Sequence, residues 1–448
     1  MSAEHQPRFM YQNLAELEAE LEHLNLSLPM KGSWTALAQP VNIGRGTAPN
    51  RLAVHPMEGC DGTADGRPSE LTYRRYRRFA AGGAGLIWME ATAVTPEGRA
   101  NPRQLQINEA NLPVFRAWLN DIDDIAPQKP YKVLQLTHSG RYARPEGTPK
   151  PQVAVENPWL DKTGQKMEIM SDEQLAALVP LYRRAAEMAY AAGFDAVDIK
   201  ACHRYLISEL LSAHTRPGPY GGSLENRTRL LLDIIHAVRE AAPIDVAVRL
   251  NAFDEIPYPY GWGVDANDFH KPDWREPVEL VRLLAAAGVT LIDVTGGNPY
   301  YNPHVNRPYD AGPYTPPDHP LIHAVKLIGA ARTMKTAVPE MRIIATGLTW
   351  FRQFAGPLAA GLVEQNWCDL AGFGRLAFAY PDFAADLLAG GGLKSSRCCI
   401  TCGKCSQIMR DGGTTGCVVR DAAVYLDLYR AGRAGKPPVD GSKVAEHV

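Results

Sequence analysis

The sequence predicts an α/β protein built as a (β/α)8 TIM barrel, with an N-terminal helix and a C-terminal cysteine-rich extension. Three observations carry that expectation. Eight short apolar segments, near-continuous in Val, Ile and Leu, recur between residues 51 and 374, as strands buried on both faces require. An amphipathic stretch follows each of them. The alternation stays regular to the eighth unit, which a closed barrel accounts for better than an open doubly wound sheet.

The units run in order. "RLAVHPM" (51–57) precedes a helix over 69–83, "AGLIWMEAT" (84–92) one over 112–125, and "KVLQLTH" (132–138) one over 171–193. "DAVDIKA" (195–201) leads to 225–242, "DVAVRLN" (245–251) to 277–288, and "LIDVTGG" (291–297) to 319–334. "RIIATG" (342–347) and "WCDLAGFG" (367–374) complete the set, with helices over 349–365 and 381–391. Several of these helices close on glycine, as helix ends often do. Ahead of the barrel, residues 11–28 form a helix with Leu14, Leu17, Leu21 and Leu24 on one face, packed on the barrel or on another subunit. The resulting segments are 1–30, 31–392 and 393–448.

Composition excludes several classes. Lys and Arg number 47 against 49 Asp and Glu, and no basic block suggests nucleic acid or a membrane surface as a partner. The acidic N-terminus lacks the apolar core of a signal peptide, and no stretch of 18 apolar residues offers a membrane span. A cytoplasmic location is expected. In that reducing setting Cys398, Cys399, Cys402, Cys405 and Cys417 read as a metal or cluster site. The set Cys399-x2-Cys402-x2-Cys405-x11-Cys417 supplies four thiolates, enough for [4Fe–4S] or for tetrahedral zinc.

The C-terminal strand ends of such a barrel carry its chemistry. Here they read "HPMEGCDG", "QLTHSGR", "KACHRYL", "VRLNAF", "ATG" and "GFGR". Glycines at the last two let backbone N–H groups approach a phosphate, and Arg375 adds a bidentate donor. "GFGRLA" also fits a loose dinucleotide fingerprint, yet no βαβ nucleotide unit surrounds it, so a Rossmann site is not expected. The long loops 254–277 and 298–314 are expected to wall or cover the site.

The series "NRLAVHPM", "GLIWMEAT", "QLTHSGR", K-x-x-H-x-Y, "YGGSLENRTR" and "GFGR" resembles the Old Yellow Enzyme family of FMN-dependent oxidoreductases over residues 36–390. The cysteines after the barrel resemble the branch containing 2,4-dienoyl-CoA reductase and trimethylamine dehydrogenase. Those relatives carry an iron–sulfur cluster beside FMN and continue into a nucleotide-binding region that this chain does not show. The resemblance implies that Pro56 and Met57 pack on the flavin, Gln135 and Arg249 bond its pyrimidine edge, and Gly347, Gly374 and Arg375 hold its phosphate. It places Lys200, His203 and Tyr205 over the flavin face. In the family, two side chains at the first and fourth motif positions bond a substrate carbonyl oxygen, N5 delivers hydride to the β-carbon, and the tyrosine protonates the α-carbon. An arginine near N1 and O2 suits a reduced, anionic flavin, and a tyrosine keeps its proton at neutral pH. His55 and His138 are expected to be structural, with His55 pointing away from the flavin.

Two residues depart from the family pattern. Lys200 stands where histidine is usual, and Glu58 where Cys, Thr or His is usual; the two are expected to interact. The second cysteine gap is one residue short, so a register change would put Cys398 in place of Cys399. The implied activity is reduction of an activated C=C bond of a small-molecule substrate. The alternatives are oxidative amine dehydrogenation or N-demethylation, and a flavin/iron–sulfur electron-transfer subunit. Electrons are expected from NAD(P)H or from a redox protein, and the family's habits favour a homo-oligomer.

Overall fold

A computed structural model describes residues 8–161 and 167–436, so the outer ends of the N-terminal extension (1–7) and of the tail (437–448) lie outside the described residues. Eight parallel strands close into a barrel: β1 (Leu52–Val54), β2 (Leu86–Ala93), β3 (Tyr131–Thr137), β4 (Ala196–Ile199), β5 (Asp245–Asn251), β6 (Leu291–Thr295), β7 (Arg342–Ala345) and β8 (Leu370–Phe373). Each pairs with its neighbours in sequence, and Phe373 opposite Val54 closes the ring. Nearly every strand position is buried, because side chains pack inward on the barrel core and outward on the helices.

The N-terminal helix α1 (Leu14–His23) is capped by Asn13 and ends where Asn25 turns left-handed. It is shorter than 11–28. Leu17 and Leu21 are buried on the barrel itself, and just before the helix Phe9 meets Trp350 edge to face. The barrel helices are α2 (Glu70–Ala81), α3 (Leu112–Ile125), α4 (Leu178–Ala192), α5 (Leu224–Ala241), α6 (Arg275–Ala286), α7 (Pro320–Ala337) and α8 (Ala355–Glu364), with Phe383–Leu388 after β8. Ser69 and Thr72 form a capping box that starts α2, and Gly193, at φ 106°, ends α4.

Two expected helices are broken. Pro180 has no N–H to give to the carbonyl of Ala176, and the 171–193 stretch splits into Asp172–Ala176 and α4. The 349–365 stretch becomes a 3-10 turn over Leu348–Phe354 followed by α8, broken at Arg352, whose backbone leaves the helical region at φ 48°. A hairpin, Val41–Ile43 with Gly46–Ala48, was not foreseen. It packs Val41, Ile43 and Ala48 against Trp88, Tyr131 and Leu291, sealing the barrel at the end away from the strand C-termini.

The cysteine-bearing segment folds back on α2. Ile408, Val418, Val424 and Tyr425 bury Leu71, while Arg74 and Arg78 both reach Asp421. Its helices Lys404–Arg410 and Ala422–Arg433 are thereby fixed beside the barrel mouth.

Candidate active site

The turn after β4 organises the site. Strict strand alternation cannot aim residues 200, 203 and 205 at one space. His203 (φ 62°) and Arg204 (φ 61°) solve this by both adopting the left-handed region, at about 1–2 kcal/mol each. Arg204 anchors the strained pair: fully buried, it binds Asp254 at 2.9 Å and also reaches Ser212. Asn251 accepts the His203 N–H at 3.2 Å. Loop 254–277 therefore braces this turn from behind, whereas loop 298–314 forms a wall of the cleft through Tyr300, Asn306 and Arg307.

A cleft with about 1220 Å³ of empty space, mouth included, opens above the strand ends. Pro56, Met57 and Glu58, Gln135, Lys200, His203 and Tyr205, Arg249, Gly347, Gly374 and Arg375 all line it. Thus every barrel residue singled out from the sequence faces one space. His55 differs from expectation: it lies on the cleft floor, against Gly372, with Nδ1 3.1 Å from Asp293. His138 is buried, and its Nδ1 accepts the Gly140 N–H at 3.2 Å.

Two buried aspartates missed in the sequence set the floor. Asp293 lies 2.9 Å from Arg249 Nε, while Arg249 Nη1 donates to the Pro56 carbonyl at 3.0 Å. Asp198 accepts from Gln135 Nε2 at 2.6 Å, Trp88 Nε1 at 3.0 Å and the Arg249 N–H at 2.7 Å, and burial pushes its pKa up to about 7. These contacts fix the arginine fork and leave the Gln135 carbonyl free. The available signal was a lone Asp inside each apolar strand, "AVDI" and "LIDV", affordable only when paired.

The upper wall is aromatic and acidic. Tyr205 Oη lies 3.0 Å from Tyr300 Oη and donates to Glu58 Oε2 at 3.4 Å, while Gln104 Nε2 donates to Glu58 Oε1 at 2.8 Å. Tyr142 stacks on Tyr300 with ring centroids 4.1 Å apart. Lys200 Nζ sits 3.6 Å above the Tyr205 ring. Lys200 and Glu58 therefore interact electrostatically across that ring, with no contact ion pair between them among the described residues. Burial raises Glu58, lowers Lys200 and raises Tyr205 well above its ordinary value. Asn306 donates to His203 Nε2 at 3.0 Å and to the Gly296 carbonyl at 3.1 Å. Because a carbonyl only accepts, the amide is fixed as donor and the imidazole proton sits on Nδ1. Burial, with Arg249 and Lys200 nearby, holds His203 well below its ordinary pKa.

The far end of the cleft is cationic. Arg307, Arg375 and Arg410 line it, and among the described residues none of them pairs with a carboxylate. Burial and Arg375 lower Arg307 to about 10. Gly347, at φ 92°, and Gly374, where a Cβ would stand 3.1 Å from Met57 Sδ, keep the backbone close. A phosphate dianion fits that donor set.

Cys405 is a shared wall. It lines the cleft and also a smaller cavity bounded by Cys399, Cys402 and Cys417. Cys398 is buried and does not line that cavity; its carbonyl accepts from Arg420 Nε at 3.2 Å. Thr401 and Arg420 donate N–H groups to the sulfurs of Cys399 and Cys417 at 3.4 and 3.3 Å.

A (β/α)8 barrel whose strand ends converge on a hydrogen-bonding floor, a tyrosine-bearing wall and a cationic end is a flavin-dependent oxidoreductase scaffold. The chain belongs to the NADH:flavin oxidoreductase / NADH oxidase family, of Old Yellow Enzyme type, whose description matches residues 36–274. It is 34% identical over 267 residues to the NADPH dehydrogenase of Bacillus licheniformis, covering 58% of this chain and 73% of that protein. The fold is similar to a 2-naphthoyl-CoA reductase in complex with 2-naphthoyl-CoA (TM-score 0.70, 20% identity, 90% of this chain and 58% of that one). It is also similar to histamine dehydrogenase from Rhizobium sp. 4-9 (TM-score 0.62, 19% identity, 80% of this chain and 48% of that one). The chain thus spans about half the length of those two structures.

Proposed function

We propose that the protein is an ene-reductase that binds FMN and a [4Fe–4S] cluster and reduces a C=C bond conjugated to a carbonyl or carboxyl group, with NADPH as one electron source. The observation that supports it best is the β4 turn, which aims Lys200, His203 and Tyr205 at the space above Pro56, Met57, Gln135 and Arg249. Pro56, Met57, Gln135 and Arg249 would hold the FMN ring, and Gly347, Gly374 and Arg375 its phosphate. When bound, FMN supplies the hydride that the β-carbon receives and takes one from the nicotinamide.

The protein's own groups polarise and protonate. Lys200 Nζ and the His203 Nδ1–H are donors for a substrate oxygen, stabilising the enolate-like charge that develops there. Tyr205 Oη, protonated throughout the neutral range, gives its proton to the α-carbon. Tyr300 Oη, 3.0 Å from Tyr205 Oη, is the hydroxyl placed to pass a proton back to it. The cation at Lys200 disfavours an ammonium substrate, which separates this reading from amine dehydrogenation.

The cysteine cavity supports the cluster. Cys399, Cys402, Cys405 and Cys417 line one cavity, and Cys405 also lines the cleft, a placement that suits a cluster, which supplies one-electron exchange when bound.

Anaerobic half-reactions test the assignment. Tyr205→Phe is expected to leave reduction by NADPH unchanged and to slow reoxidation by a cyclic enone about 10²–10⁴-fold. Equal rates in both half-reactions would remove Tyr205 from the chemistry and the reading with it.

A further inference from the structure

A second group of chemistry-bearing side chains lies outside the cleft, between loop 254–277, loop 298–314 and α7. Glu255, left-handed at φ 50°, buries its carboxylate there. His304, from the short helix Pro303–Asn306, and His323, from α7, are buried with it. One donor atom of each lies within 4.8 Å of the others, the one such trio among the described residues. The two imidazoles meet edge to face at 4.7 Å.

His323 is 1% exposed, yet neither ring nitrogen has a hydrogen-bond partner. Burying such a group unsatisfied is costly, and a ligand removes that cost. Tyr314 Oη occupies His304 Nδ1 at 2.6 Å, leaving Nε2 as the free donor.

We propose that Glu255, His304 and His323 form a site for a divalent transition-metal ion, zinc by donor type. Two imidazoles and a carboxylate form a familiar zinc ligand set. Asp318 Oδ2, 3.5 Å from His323 Nε2, or water completes the coordination. His270 Nδ1, 3.5 Å from Glu255 Oε2, borders the site. Lys326 neutralises Glu255 in the metal-free state. It stands one helical turn beyond His323 and is 18% exposed, so its ammonium can swing to solvent as the ion takes its place.

The ion acts as a clamp and takes no part in the reaction. It ties loop 298–314 to loop 254–277 and α7. His304 is two residues from Asn306, which donates to His203, and four from Tyr300, which bonds Tyr205.

Zinc titration of the chelator-treated flavoprotein, read by calorimetry and zinc-edge X-ray absorption, tests the site. Nitrogen and oxygen neighbours near about 2.0–2.1 Å distinguish it from thiolates near about 2.3 Å. The wild type is expected to take up one zinc with a nitrogen/oxygen shell, and His304→Ala/His323→Ala to lose it. Tyr314→Phe is expected to weaken uptake about 10–100-fold through the lost outer bond. Lys326→Gln is expected to tighten it, a gain that a purely structural ion pair does not predict. Zinc bound only through sulfur in the wild type, or undiminished in the double variant, overturns the proposal and leaves an ion pair with packed histidines. The proposal does not depend on the ene-reductase reading, because zinc uptake is read without turnover.

Discussion

Tyr205 holds its proton because the hydroxyl is buried beside Glu58 and Tyr300, and each of those neighbours makes ionisation harder. It follows that the proton must be replaced through a contact, and Tyr300 Oη, 3.0 Å away, is the neighbouring hydroxyl placed to relay it. Tyr300→Phe is expected to lower turnover about tenfold at saturating enone while leaving NADPH reduction untouched, a smaller loss than that of the direct donor. Stopped-flow of the two half-reactions checks it. His203 carries a second expectation. Its pKa lies well below 6.5, so it is neutral from pH 6 to 8 and kcat/KM should show no imidazole step near 6.5. An acid limb at 6.5 that disappears in His203→Asn would contradict the assigned tautomer. His138 governs stability instead. Burial lowers it to about 4, so between pH 6.5 and 4 the unfolded chain binds a proton that the native chain refuses. Stability is full above 6.5 and falls by about 2–3 kcal/mol by pH 4.5. Asp198, raised to about 7, works in the opposite sense. Because it is present in both proteins, comparing urea unfolding of wild type and His138→Gln at pH 7 and 4.5 isolates the histidine. At this scale the sequence displayed the identities through the K-x-x-H-x-Y pattern. It concealed the means, since consecutive left-handed conformations at His203 and Arg204 depend on an anchor, Asp254, fifty residues away.

Between residues and the whole, the loop after β1 illustrates how elements hold the site. Arg75, from α2, is buried between Asp61 and Glu90, and the Gly59 N–H donates to Glu90 Oε2 at 2.7 Å. This network spans β1, α2 and β2 and fixes the segment carrying Pro56, Met57 and Glu58. Removing the arginine leaves two buried carboxylates without the cation between them, so Arg75→Ala should cost about 3–5 kcal/mol. FMN retention on gel filtration should fall with it, while Arg77→Ala, an exposed pair with Asp121, should change stability by less than about 1 kcal/mol. The strands and most helices were legible from periodicity, because burial on both faces leaves an unambiguous apolar run. The split before Pro180 was legible in principle from the missing N–H, whereas the kink at Arg352, a non-glycine residue at φ 48°, was not. The hairpin 41–48 was not, since three-residue strands carry too little pattern to stand out.

Over the whole molecule, the question is how the cysteine segment relates to the barrel. Its attachment to α2 through Asp421, Val424 and Tyr425 brings Cys405 to the wall of the same cleft that Tyr205 and Arg375 line. A centre held there is placed for electron exchange with a group bound in the cleft, whereas a purely structural zinc needs no such shared wall. Spacing alone left Cys398 and Cys399 interchangeable, because either register yields four sulfurs. Packing separates them: Cys399 faces the cavity and accepts the Thr401 N–H, while Cys398 is turned into the core. The donated N–H bonds at Cys399 and Cys417 favour negative charge on sulfur, as cluster ligation requires. Anaerobically purified protein is therefore expected to hold about four irons and four sulfides per chain together with FMN. Cys398→Ala should retain them, and Cys399→Ala should lose them while keeping the flavin. Loss of iron in Cys398→Ala with retention in Cys399→Ala would instead establish the shifted register. Stoichiometric zinc without sulfide would make the segment a brace for the barrel mouth, and reducing equivalents would then pass in pairs between nicotinamide, flavin and substrate.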